Sequence, residues 1–139
     1  MLNIKRLSQA DALELIAGAE AKALEIGIPM CIAVSDESGD LIAFSRMDGS
    51  KVLSISLSQD KAFSAAVSRR GTHEYNALCQ PGSLTFGIHT AARGRFTVVG
   101  GGLPVFDGED VIGGIGCSSG TADQDRECAQ SGIDHLSEK

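Results

Sequence analysis

The run from Gly100 to Gly120 limits what this chain can fold into. Gly100-Gly101-Gly102 leads into Leu103-Pro104-Val105, and Val111-Ile112-Gly113-Gly114-Ile115-Gly116-Cys117 leads into Ser118-Ser119-Gly120. An aliphatic strand that gives up its side chains at 113, 114 and 116 lets something pack very close to its backbone. The segment reads as a bare-backbone loop, a strand, a second Gly-rich turn and then a helix. Thr121 with Gln124 forms a capping box, and Asp123 and Asp125 suit the positive start of that helix. Strand-to-helix joints of this kind present unpaired N–H donors, which is where ligands often rest. The glycines lack the spacing of a dinucleotide fingerprint and the Lys-Ser/Thr of a phosphate loop. They are therefore either a tight connection between strands or a surface for a flat or anionic guest.

The rest of the chain supplies helices and strands in a mixed order. Ser8 with Asp11 caps a first helix, whose apolar positions Leu13, Ile16, Ala17, Ala21 and Leu24 follow helical spacing. Gly27 and Pro29 end it. Met30–Val34 and Leu41–Phe44 read as a hairpin around Asp36-Glu37-Ser38-Gly39-Asp40. A second helix is expected from about Lys51 to Ser68, and a short helical piece from Thr72 to Leu78. Phe96–Val99, Leu103–Phe106 and Val111–Cys117 read as strands, the last two joined by Asp107-Gly108-Glu109-Asp110. Leu84–Ile88 fits either strand or loop. Strands joined by short turns, rather than each followed by a helix, predict an α+β fold: an antiparallel sheet of about five strands flanked by helices.

The 139 residues fit one domain, spanning 1–139, and mean hydropathy of +0.05 is that of an ordinary globular chain. Aromatic residues make up 4%, so aliphatic residues must build the core. A net charge of −6 argues against a nucleic-acid partner, which needs clustered Lys and Arg. The groupings Arg69-Arg70 and Arg93/Arg95 read as solvated loops. No apolar run reaches the ~18 residues of a membrane span, and the first residues lack a signal-peptide layout, so a cytoplasmic protein is expected. Cys31, Cys79, Cys117 and Cys128 form no metal-ligand spacing and read as reduced, buried thiols. No metal site is expected.

Candidate site residues follow from the same reading. Lys61 lies among small and apolar residues, either as a surface lysine or as a partner for a ligand carboxylate. Arg46 and Asp48 either pair with each other or offer a guanidinium to a carboxylate. Gly100, Gly101, Gly102, Ser118 and Ser119 offer backbone and hydroxyl donors, and Ser64 a further hydroxyl. His73, at the start of the short helix, ranks above His89 and His135 as a ligand for an iron macrocycle. Asp36 is either a turn residue or, with Lys61, an acid/base candidate.

Taken together, these residues resemble the GlcG/HbpS-like family, also described through the C-terminal domain of PduO-type proteins. The carriers are Ala33-Val34-Ser35-Asp36 with Gly39, Arg46-Met47-Asp48-Gly49, Lys61-Ala62-Phe63-Ser64-Ala65, Gly101-Gly102-Leu103-Pro104, and Val111-Ile112-Gly113-Gly114-Ile115-Gly116 followed by Gln124-Asp125. The resemblance implies a profilin- or PAS-like α+β fold and self-assembly into dimers or larger rings. It also implies haem binding in some members, and others linked to glycolate, propanediol or glycerol utilisation. Haem-binding relatives of the PduO type look to use a His in the first helix. Ser8–Ile26 contains none here, so His73 would be a substitute. Three readings of function follow: a small-ligand-binding oligomer with haem as leading ligand, an enzyme acting on a small oxygenated metabolite through Lys61 or Asp36, or a non-catalytic accessory protein of a diol- or glycerol-utilisation complex.

Overall fold

The computed structural model describes every residue from Met1 to Lys139. Helix α1 spans Gln9–Ile26, strands β1 and β2 Cys31–Asp36 and Leu41–Arg46, helix α2 Leu53–Ser68 and the single-turn α3 His73–Asn76. After a long irregular stretch come β3, Gly102–Asp107, β4, Asp110–Ser118, and α4, Ala122–Ser137. The helix ends are set by local chemistry. Ser8 and Asp11 exchange side chain-to-backbone hydrogen bonds at the start of α1, as Thr121 and Gln124 do at the start of α4. Gly27 closes α1 in the left-handed conformation, with φ at 73°.

The strands form one antiparallel sheet in the order β2-β1-β4-β3. Both hairpins fall where the turn residues predict them. Asp36 Oδ1 accepts from the backbone N–H of Ser38 and of Asp40, at 2.8 and 3.0 Å, which closes the first. Pro104 lies on the edge strand β3, where its missing N–H costs no ladder bond.

The sheet has four strands, not the expected five. Phe96–Val99 joins no strand ladder. The N–H of Thr97 is taken by Ser64 Oγ and that of Val99 by Thr97 Oγ1. Leu84–Ile88 is a series of turns, and the short helix stops at Asn76 rather than Leu78.

The two faces of the sheet are packed by different means. Leu15, Ile16, Ala19 and Ala23 of α1, with Cys128 and Ala129 of α4, meet Ile32, Val34, Ile115, Cys117, Leu103 and Val105 of the sheet in a continuous aliphatic core. Neither helix supplies an aromatic side chain to this core, in keeping with the composition. On the other face α2 lies almost directly on the backbone of β3 and β4. A Cβ built on Gly116 would stand 2.1 Å from Ser58 O, on Gly114 2.4 Å from Ala62 O, and on Gly102 2.4 Å from Lys61 O. Gly102 and Gly116 are cross-strand partners and Gly114 follows on the same face. The glycines are there because α2 is there: no β-carbon fits at these three sheet positions.

Candidate functional site

That close contact decides the fate of the first set of candidate residues. Lys61 projects from α2 into the space left by the glycines and is wholly buried. Its ammonium donates to Asp125 Oδ2 and to the carbonyl of Cys117, both at 2.8 Å. Asp125, in the first turn of α4, is 3% exposed, and its other oxygen accepts from the N–H of Gly120 at 2.8 Å. A Cβ on Gly101 would meet Asp125 Cβ at 2.7 Å and Lys61 Nζ at 2.8 Å. The carboxylate that Lys61 meets is therefore the protein's own rather than a ligand's. Lys61 ties α2 to β4 and α4, Gly101 and Gly102 leave it room, and the ammonium is committed inside the chain.

The hydroxyls of Ser64 and Ser119 are committed as well. Ser64 Oγ donates to Asp60 O and accepts from Thr97 N–H. Ser119 Oγ donates to Ser54 Oγ and accepts from Lys51 N–H. Ser118 ends β4 opposite Cys31 and is buried. Asp36 is the turn residue described above. Arg46 and Asp48 lie elsewhere, at the end of β2, where they line a cleft of about 590 Å³ together with Glu20, Leu24, Ile28 and Met47.

A different opening forms around His73. The turn after α2 carries Arg69, left-handed at φ 61°, and Arg70, and it leads directly into α3. Thr72 clamps this passage to the edge of the sheet. Its N–H donates to Gly102 O at 2.9 Å, and its Oγ1 accepts from Gly102 N–H at 3.0 Å. Glu74 fixes the next turn by accepting from Gly71 N–H at 2.9 Å. His73 is thereby held between Gly71 and Gly100; Cβ atoms added there would lie 2.4 Å from His73 Cε1 and 3.1 Å from His73 Cβ. Of the nine candidate positions for ligand contact, Gly100 is the one that packs against His73.

His73 lines a cleft of about 510 Å³ whose wall also includes Arg69, Arg70, Leu103, Phe106 and Ile133. The volume is within the roughly 300–1,000 Å³ usual for small-molecule sites. His73 Nδ1 is buried with no hydrogen-bond partner. Burial first, and then the charge of Arg126, hold the imidazole below its ordinary pKa of 6.5, against the opposing pull of Glu74 and Asp123. The ring is thus neutral at pH 7 and has lone-pair capacity that the protein leaves unused. Arg70 stands over the Tyr75 ring, its guanidinium carbon 5.7 Å from the centroid.

The sequence placed His73 and Gly100 among the candidates but not Arg69, Arg70, Leu103, Phe106 or Ile133. Arg69 and Arg70 are exposed, as expected of loop residues, yet they share this cleft with His73. Asp125 was legible as a helix-start residue, and nothing in the spacing tied it to Lys61. Three of the four cysteines are buried; Cys79 is not, and lies beside His89. No group of three or more His, Cys, Asp or Glu side chains is arranged to hold a metal ion. No helix is long and apolar enough to cross a membrane.

Comparison with known proteins agrees with this architecture. The chain is 39% identical, over 97% of its length and 95% of the other's, to an uncharacterized 15.0 kDa protein from the dhaT-dhaS intergenic region of Citrobacter freundii. It superposes on the crystal structure of Klebsiella pneumoniae protein ORFY with a TM-score of 0.96 at 36% identity, covering 99% of this chain and 94% of that one. A PduOC:haem complex matches with a TM-score of 0.89 at 29% identity over 94% of both chains. The family described as haem degrading protein HbpS-like matches residues 7–134, nearly the whole chain, and this protein belongs to it.

Proposed function

We propose that this protein is a small-ligand-binding module that takes haem in the cleft beside His73. The observation carrying the reading is the His73 imidazole: neutral at pH 7, with a buried nitrogen that no protein group satisfies, set in the wall of a cleft large enough for a guest. A buried polar atom that the protein leaves unpaired calls for a partner from outside the chain. The residues fit haem by their chemistry. His73 would hold the iron, Arg69 and Arg70 would hold the two propionates, and Leu103, Phe106 and Ile133 would line the apolar macrocycle. When bound, haem supplies a redox-active iron. The haem-bound PduOC neighbour supports the ligand class.

Self-association into dimers or larger rings belongs to the same reading. So do a profilin- or PAS-like kinship of the fold, a cytoplasmic location and a setting in glycolate, propanediol or glycerol metabolism. An acid/base enzyme built on Lys61 or Asp36 is not favoured, because both side chains are bonded within the protein.

Titration of the purified protein with hemin tests the proposal. The expected result is a saturable Soret shift near one haem per chain, lost in His73→Ala and weakened in Arg69→Gln/Arg70→Gln. A flat titration removes haem from the reading, and an unchanged spectrum in His73→Ala removes the ligand assignment.

A further inference from the structure

Residues 77–95 leave the helix–sheet frame and return to it without forming a strand or an α-helix. The stretch is nonetheless held in shape by its own hydrogen bonds. Ser83 Oγ donates to Ala77 O, Thr85 Oγ1 to Leu78 O and Thr90 Oγ1 to Gly87 O, at 3.2, 2.7 and 2.7 Å. These bonds bring two chemically active side chains together. Cys79 Sγ lies 3.0 Å from His89 Nδ1, and the imidazole tilts against Phe86 with centroids 6.1 Å apart. His89 is exposed and Cys79 half-buried, whereas Cys31, Cys117 and Cys128 are buried within the frame. Burial raises the Cys117 thiol well above its ordinary value and lifts Cys128 to about 11, which leaves both inert. A thiol with a base in hydrogen-bond reach is the arrangement from which activated sulfur nucleophiles are built.

The geometry points to Cys79 and His89 as a reactive thiol site that takes small disulfides, separate from the His73 cleft. In the tautomer carrying its hydrogen on Nε2, His89 Nδ1 accepts the Cys79 proton. The resulting thiolate attacks one sulfur of the disulfide. A new S–S bond forms at Cys79 as the reagent's own S–S bond breaks, and the departing sulfur leaves with that electron pair. His89 returns the proton to this leaving thiolate. Cys79 ends oxidised in a mixed disulfide, the released half is reduced to a thiol, and His89 is neutral again.

The test uses the intact protein and an aromatic disulfide that releases a coloured thiolate. One of the four thiols is expected to react in a fast phase that Cys79→Ser abolishes. An unactivated thiol is only a few per cent ionised at pH 7, so the fast phase should exceed the rate of the same thiols in urea-unfolded protein by about tenfold. His89→Ala should bring the rate down to the unfolded level, and added imidazole should restore part of it, which a merely structural role for His89 would not allow. Intact-mass analysis after treatment with hydroxyethyl disulfide should find one adduct, on the peptide carrying Cys79. The proposal is overturned by a native rate no higher than the unfolded one, by a fast phase that survives Cys79→Ser, or by a rate indifferent to His89→Ala. Oxidation to a dimer linked through Cys79, with no small adduct, also overturns it. The comparison of native with unfolded wild-type protein decides the matter even where a variant does not fold.

Discussion

Replacing Lys61 with Met should cost this protein a large part of its stability. Methionine keeps most of the length and volume of the lysine stem, so the substitution removes the ammonium with little loss of packing. Three consequences follow from the contacts. The Asp125 carboxylate, 3% exposed, keeps only the Gly120 N–H; the Cys117 carbonyl loses its side-chain donor; and a charge remains buried without a counterion. Breaking one side of a buried pair costs about 3–5 kcal/mol. Total stability for a domain of this kind is roughly 5–15 kcal/mol, so the variant should remain folded but weakened. With a urea slope of about 2 kcal/mol per molar, the unfolding midpoint should fall by about 2 M. Asp125→Leu should be similarly costly because it strands the ammonium. The double variant Lys61→Met/Asp125→Leu leaves no buried charge and should lose no more than the worse single variant. Urea unfolding followed by circular dichroism at matched pH gives all four midpoints. A loss below about 1 kcal/mol in Lys61→Met, or single losses that simply add in the double variant, would refute the account of Lys61 as an internal tie.

Two further outcomes are expected. Gly116→Ala forces a methyl onto the Ser58 carbonyl, 2.1 Å away, and should cost about 1–3 kcal/mol or more, read as a lower melting temperature; an unchanged melting temperature would mean that α2 lifts off the sheet freely. For His73 the folded-state pKa lies below the ordinary 6.5, so the unfolded chain takes up the proton first. The corresponding stability is fully present above pH 6.5 and is lost as pH falls through the interval beneath it. The urea midpoint should therefore drop more between about pH 7.5 and 5.5 in the wild type than in His73→Phe. Equal drops would place the acid sensitivity elsewhere.

The helices and hairpins were legible because their signals are local. Ser8 with Asp11, Thr121 with Gln124, Gly27 and the Asp36 turn each act within a few residues, and each stands where its chemistry predicts. Phe96–Val99 misled because an apolar, β-branched run says nothing about whether a strand partner is free. Here Ser64 took the N–H that a neighbouring strand would have taken. The glycine run implied a close approach and left open whether the neighbour is protein or ligand; at Gly102, Gly114 and Gly116 it is α2. The Lys61–Asp125 pair spans 64 positions and the Cys79–His89 pair ten, at spacings that follow no helical or strand period. His73 was identifiable as a candidate. The cleft it lines is built from α3, β3, α4 and the Arg69-Arg70 turn, elements whose meeting only the tertiary fold determines.

Helix and sheet meeting backbone to backbone leaves the frame almost no room for variation. Positions 102, 114 and 116 admit no side chain, and Lys61 locks the layers where they join. Diversity of ligand in proteins built this way then falls mainly to the stretch from Arg69 to Gly100, together with the β3 and α4 side chains that line the same cleft. An engineer seeking a new specificity should randomise that stretch and leave α2 and β4 untouched.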